Sequence, residues 1–291
     1  MGRSLIAVGT LLLLFVGYQL WGTALTEQRG QRALRAQFAK SLVSAPPTLP
    51  SPSAVVAPPT TAVAAELGDA VARLEIPRIE LDKLVVEGVG VEDLKKGPGH
   101  YPGTVMPGEA GNAAIAGHRT TYGAPFYRLD ELVAGDVITV TTTAGLFRYE
   151  VRESMVVTPE DVWVLDPTEE GRLTLTTCHP RFSAAQRLII VAALVSPAVA
   201  QKAVEPASLP DHASGGAAPR MAGELAGLSG TSASSVPALA WGVAAASIWL
   251  VAWAVARHRS KRWTYGVALV PFFVALFNFY ANVARFLPAN V

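Results

Sequence analysis

Cysteine is nearly absent from this sequence: Cys178 is the single thiol in 291 residues. One thiol excludes an internal disulfide. Charge imbalance is missing too, with a formal net charge of +1. The segment 71–196 carries 12 Lys and Arg against 17 Asp and Glu, so a nucleic-acid ligand is not expected. That segment also lacks any long stretch with helical period, and the chain has no internal repeat. No metal-binding cluster stands out. The acidic pairs Glu92–Asp93 and Glu169–Glu170 read as solvated surface rather than a calcium site, and no cofactor is expected.

Apolar sequence is plentiful: 51% of residues are hydrophobic, concentrated in three runs. Residues 4–25, 236–256 and 264–284 are uncharged and about long enough to span a bilayer, which takes roughly 20 apolar residues. The first could be a signal peptide, but Gln19, Trp21 and Gly22 make a poor cleavage site, so an uncleaved anchor is expected. Trp21 and Trp263 suit the headgroup layer. The short basic loop RHRSKR (257–262) predicts a cytoplasmic hairpin, which puts the N-terminus inside and residues 26–235 outside. Arg29, Arg32, Arg35 and Lys40 run against that orientation.

The expected organisation is a membrane anchor at 1–28, then a juxtamembrane segment and Pro/Ala-rich linker at 29–70. A folded domain follows at 71–196, a flexible linker at 197–235, and a two-helix membrane hairpin at 236–291. Within the domain, short β-rich runs alternate with Gly/Pro turns: 73–81, 83–89, 112–118, 137–143, 147–157, 172–178 and 187–195. That pattern predicts a β-sandwich or barrel. DLKKG (93–97), FYRLDELVAG (126–135) and PEDVWVL (159–165) are helix or turn candidates.

In LTLTTCH, alternation sends Leu173 and Leu175 to one face and Thr174, Thr176 and Cys178 to the other. A nucleophilic cysteine acts as its thiolate and is usually activated by a His. His179 alternates away from Cys178 and precedes Pro180, which ends the ladder. His118 closes the run NAAIAGH at a strand terminus and is the preferred partner. His100, between turn glycines, is expected to bond locally. Acyl transfer also needs positive charge where an oxyanion develops. Arg187 opens the run RLIIVAALV, and the eight residues HPRFSAAQ can return it antiparallel beside Cys178. Arg181, in the connecting loop, and Arg119, alternating away from His118, are rivals. A buried cysteine, a surface histidine and a solvated arginine are the ordinary alternatives, and spacing alone leaves them open.

The stretches AGNAAIAGHRTTYGAPFYRLDEL (110–132) and LTLTTCHPRFSAAQRLIIVAAL (173–194) resemble the sortase family of Gram-positive bacteria. The TLTTC signature with a following strand-initial Arg carries the likeness. GHRTTYGAPF, CHP and GPGHYPGTVMPGEAGNAAIAGH look most like class E sortases of actinobacteria. The resemblance covers about residues 74–195 and implies an eight-stranded β-barrel, here flanked by one N-terminal and two C-terminal transmembrane helices. It implies Cys178 as nucleophile, His118 as acid/base and Arg187 as oxyanion and substrate clamp. Tyr122 and Thr177 are further candidates for substrate contact. The implied partners are secreted proteins with a C-terminal LPXTG or LAXTG signal, a peptidoglycan-precursor amine and the lipid bilayer. The implied location is the cell membrane, with the barrel on the extracellular face. A lone thiol suits that side, since a second could trap it as a disulfide. The alternatives are a cysteine peptidase with water as acceptor, and a non-catalytic membrane scaffold.

Overall fold

The computed structural model describes residues 2–44, 66–195, 236–257 and 261–283. The Pro/Ala-rich stretch at 45–65, the linker at 197–235 and the end of the last apolar run therefore lie outside the described residues.

Eight strands close into a barrel in the order β1-β2-β3-β4-β7-β8-β6-β5. They are β1 (Ala70–Ile76), β2 (Leu81–Glu87), β3 (Gly99–His100), β4 (Asn112–Ala116), β5 (Val137–Thr142), β6 (Gly145–Val157), β7 (Arg172–His179) and β8 (Gln186–Leu194). Most pairs are antiparallel; β2–β3 and β4–β7 are parallel. Closure leaves no sheet edge to recruit another chain. The run at 73–81 is divided by a 3-10 turn at Pro77–Ile79, where the proline cannot donate to a ladder. The two-residue β3 carries no alternation of its own, so nothing in the sequence announced it. The three helix candidates resolve into a single-turn helix α3 (Val91–Leu94) and 3-10 turns at Leu129–Glu131 and Val162–Leu165.

Alternation sorts two cores. The barrel interior holds Leu74, Ile115, Phe126, Ile138, Tyr149, Leu173, Leu175, Leu188 and Ile190. A second cluster covers the outer face of β4, β7 and β8: Ala114, Ala116, Cys178, Ile189 and Val191, roofed by Tyr101, Val164 and Leu165. The thiol thus avoids the interior, as alternation requires, but its face is not bare. It is 1% exposed beneath this outer cluster.

The N-terminal segment departs from the expected anchor-then-linker plan. Helix α1 (Gly2–Gly17) runs through a π turn (Tyr18–Gly22) into α2 (Thr23–Ser44). Thr23, Glu27, Gln31, Leu34 and Phe38 form a buried stripe on α2, spaced three or four residues apart. Leu34 and Phe38 pack on Ala70, Leu84 and Val86 of the barrel. Gln31 donates to the carbonyls of Leu84 and Lys96 at 2.9 Å and accepts from the Leu84 N–H at 2.8 Å. Arg29, Arg32 and Lys40 lie on the exposed side of α2, and Arg35 comes within 3.8 Å of Asp82 on β2.

At the C-terminus lie α4 (Val236–Ala256) and α5 (Lys261–Val283). Val236–Ala256 and Thr264–Val283 are, among the described residues, the two helices long and apolar enough to cross a membrane by length and composition. α1, with 16 residues before its π turn, is shorter. It meets α5 through Phe15 and Tyr18 against Phe277 and Tyr280, and the Tyr280 hydroxyl donates to the Leu11 carbonyl at 2.8 Å.

Candidate active site

β7 and β8 pair antiparallel with Cys178 directly opposite Arg187. Facing residues of such a pair have Cβ atoms about 4.5–5.5 Å apart. Both side chains lie on the outer face, because Leu175 and Leu188 take the inner one. Arg187 is nearly buried, and its guanidinium donates to the carbonyls of Ala184 at 2.9 Å and Gln186 at 3.0 Å. Those two bonds hold the fork in place at the end of the returning loop.

His118 arrives from the other side. β4 runs parallel to β7, with Ala116 opposite Thr176. The ladder continues one step further, as the Gly117 N–H donates to the Thr176 carbonyl at 3.0 Å. His118 follows directly on this bond, two residues past the end of β4. Its imidazole lies 5.0 Å from the Tyr122 ring, tilted by 36°. Cys178 and Arg187 thus share the outer face of β7 and β8, and His118 follows two residues past the end of β4, the strand paired with β7.

Thr177, expected to contact substrate, is buried in this structure. It alternates to the inner face, is fully buried, and its hydroxyl donates to the Gly117 carbonyl at 2.7 Å. That bond ties β7 to the segment leading into His118. Tyr122 lies against the imidazole and in a left-handed backbone conformation, φ 50°. His100 is buried and bonds locally: Nδ1 meets Glu87 Oε2 at 2.8 Å, and Nε2 meets the Thr104 hydroxyl at 3.0 Å.

The two rival arginines have other work. Arg119 is 1% exposed and donates to the Cys178 carbonyl at 3.1 Å, while pairing with Asp130 at 3.0 Å. Burial pulls its guanidinium below the ordinary value, and the Asp130 charge opposes that. Arg181 pairs with the same Asp130 at 2.9 Å and stacks 4.3 Å above the Tyr127 ring. Asp130 thus locks the loop after Cys178 to the loop after His118. Neither arginine takes the facing position that Arg187 holds.

Tyr101 escaped the sequence reading. It is buried in the outer cluster, beside Thr176, Cys178 and Arg187. Burial pushes its phenol up to about 12, so the group stays neutral at physiological pH. A small groove beside Arg187 is lined by Tyr101, Thr158, Asp161, Leu165, Thr176 and Ile189. Its neighbour His100 drew attention in the sequence, but β3 is too short for alternation to assign Tyr101 a face. The acidic pair Glu92–Asp93 is committed to lysines, with Lys95 2.7 Å from Glu92 and Lys96 3.1 Å from Asp93.

The chain thus combines a closed eight-stranded barrel with a thiol that faces a guanidinium across β7 and β8. The family model for the Sortase domain matches residues 74–195, so the barrel is a Sortase domain. Sortase SrtE1 of Streptomyces coelicolor is 35% identical over 207 residues, covering 65% of this chain and 54% of that protein. Sortase D of Bacillus subtilis is 38% identical over 116 residues, covering 40% of this chain and 57% of that protein. The chain spans about half the length of these curated relatives. Among solved structures, sortase E from Streptomyces avermitilis is 40% identical, covering 45% of this chain and 91% of that one, with a TM-score of 0.41.

Proposed function

We propose that this chain is a membrane-anchored cysteine transpeptidase. It would cleave an LPXTG- or LAXTG-type sorting signal between Thr and Gly and transfer the new C-terminus to a cell-wall amine. The observation that carries the reading is the register: Cys178 faces Arg187 across β7–β8, with His118 two residues past the end of β4, the strand paired with β7.

The Cys178 thiolate attacks the Thr carbonyl of the bound signal. The oxyanion that develops lies within reach of the Arg187 fork, whose charge and donor geometry suit it. His118 donates a proton to the departing glycine amine, leaving a thioester on Cys178. An incoming amine, deprotonated by His118, then attacks the thioester carbonyl and releases the thiolate. The Sortase domain and similarity to named sortases support this sequence of steps. The same proposal places the apolar runs 4–25, 236–256 and 264–284 in the bilayer, the basic loop 257–262 inside and the barrel outside.

The test is a peptide assay on the full chain in detergent, with LPXTG and LAXTG substrates and with or without an added amine. Cleavage between Thr and Gly, an amide product with the amine and silence in Cys178→Ala are expected. LAXTG is expected to outrun LPXTG. Cleavage with no amide product at any amine concentration would make water the acceptor and the chain a peptidase. Cleavage that persists in Cys178→Ala would remove the thiol from the reaction, and no cleavage by the unaltered chain would leave only a scaffold.

A further inference from the structure

The first turns of α2 reach the loop that carries Tyr122. The Thr23 hydroxyl donates to the Gln19 carbonyl at 2.7 Å and accepts the Tyr122 N–H at 3.2 Å. Thr23 is 1% exposed, and its bond to Tyr122 is part-buried. One turn on, Glu27 is equally buried and pairs with Lys83 of β2 at 2.6 Å. Glu27 also closes over Gly123, φ 73°, where an added Cβ would lie 2.7 Å from its carboxylate.

The loop held in this way is strained. Tyr122 and Ala124 both have positive φ, 50° and 45°, without being glycine. Such conformations are costly for residues with a Cβ and persist only where the surroundings hold them. The Tyr122 ring in turn lies against the His118 imidazole. The π turn at Tyr18–Gly22 immediately precedes Thr23. One inserted residue rotates the downstream face by about 100°. That rotation lets a single continuous helix present Phe15 and Tyr18 to α5 and Thr23 and Glu27 to the barrel.

We propose that Thr23 is a positioning residue for the active site, acting through the Tyr122 backbone on the orientation of the His118 imidazole, with Glu27 bracing the same loop. The membrane-proximal helix then completes the site rather than merely tethering it. The inference rests on the acid/base role given to His118 above.

The test uses the full chain in nanodiscs. Thr23→Val removes the hydroxyl at constant shape, and Thr23→Ser keeps it. Losing a buried acceptor in a strained loop is expected to lower kcat about tenfold in Thr23→Val, with KM changed less than about twofold. Thr23→Ser is expected to recover most of the loss. The His118 imidazole, followed by NMR, is expected to titrate at a shifted midpoint in Thr23→Val and at the wild-type midpoint in Thr23→Ser. Leu34→Ala, which loosens α2 two turns beyond Glu27, is expected to lower thermal stability and leave that midpoint alone. A wild-type kcat and midpoint in Thr23→Val would overturn the proposal, as would an equal midpoint shift in Leu34→Ala. If the unaltered chain transfers no peptide, the transpeptidase reading fails by itself, and the imidazole titration still decides whether Thr23 sets His118.

Discussion

Arg187 meets its strand partner Cys178 with its own guanidinium already bonded to two carbonyls, Ala184 and Gln186. A fixed fork costs little to reorganise when charge develops nearby, whereas a lysine ammonium is a point charge on a flexible stem. Arg187→Ala is therefore expected to lose about 10²–10³ in kcat, the usual cost of removing one oxyanion donor. Arg187→Lys is expected to recover only part of it. Steady-state kinetics on the sorting peptide, with circular dichroism to check the fold, measure both. Arg181→Ala is the control, since its guanidinium is held by Asp130 and Tyr127. Near-wild-type turnover in Arg187→Ala with a dead Arg181→Ala would reverse the assignment.

At the scale of elements, the β1–β2 hairpin carries a two-pronged ion pair. Arg73 donates to both oxygens of Asp82, at 2.8 and 3.0 Å. The Arg73 hydrogen bonds hold the Asp82 carboxyl below its ordinary value. A carboxylate with a lowered folded-state value contributes its stability above the ordinary range near pH 4. That contribution is lost as pH falls through the lower folded-state value. The pair is partly solvated, so its worth is at most about 1 kcal/mol and is screened by salt. Asp82→Asn is expected to lower Tm modestly at pH 7, with the gap to wild type closing on acidification below about pH 4. Thermal melts of both proteins across pH 3–7 measure it. A gap that widens in acid would show that another group governs this hairpin.

For the molecule as a whole, the proposed arrangement has three spans and one outward barrel. Two helices meet the length and composition of a span, and α1 packs against α5. On a Cys178→Ala background, a cysteine placed at Ser260 is expected to resist a membrane-impermeant thiol reagent in intact cells. One placed at Asn290 is expected to react. The reverse labelling would invert the topology and place the barrel inside. The docking of α2 on the barrel adds a consequence at this scale. A barrel cut free at residue 71 would lose the Gln31 bonds to Leu84 and Lys96 and the Thr23 bond to Tyr122.

Local periodicity was enough for part of this picture. Alternation in LTLTTCH assigned Cys178 to the face away from Leu173 and Leu175, and a loop of eight residues was short enough to set Arg187 beside it. Both follow from the two-residue repeat of a strand, which any short window of sequence contains. The eight-stranded count and the roles of His118, Cys178 and Arg187 came from resemblance rather than periodicity. Tertiary structure alone decided the rest. Thr177 bonds Gly117 across 60 residues, and Thr23 bonds Tyr122 across 99. The parallel β4–β7 pairing, the roof over Cys178, the clamp of Asp130 on two arginines and the docking of α2 are of the same kind. Each joins segments whose separate sequences carry no common period. Their register is fixed only when barrel closure and burial leave one arrangement in which the buried donors and acceptors meet.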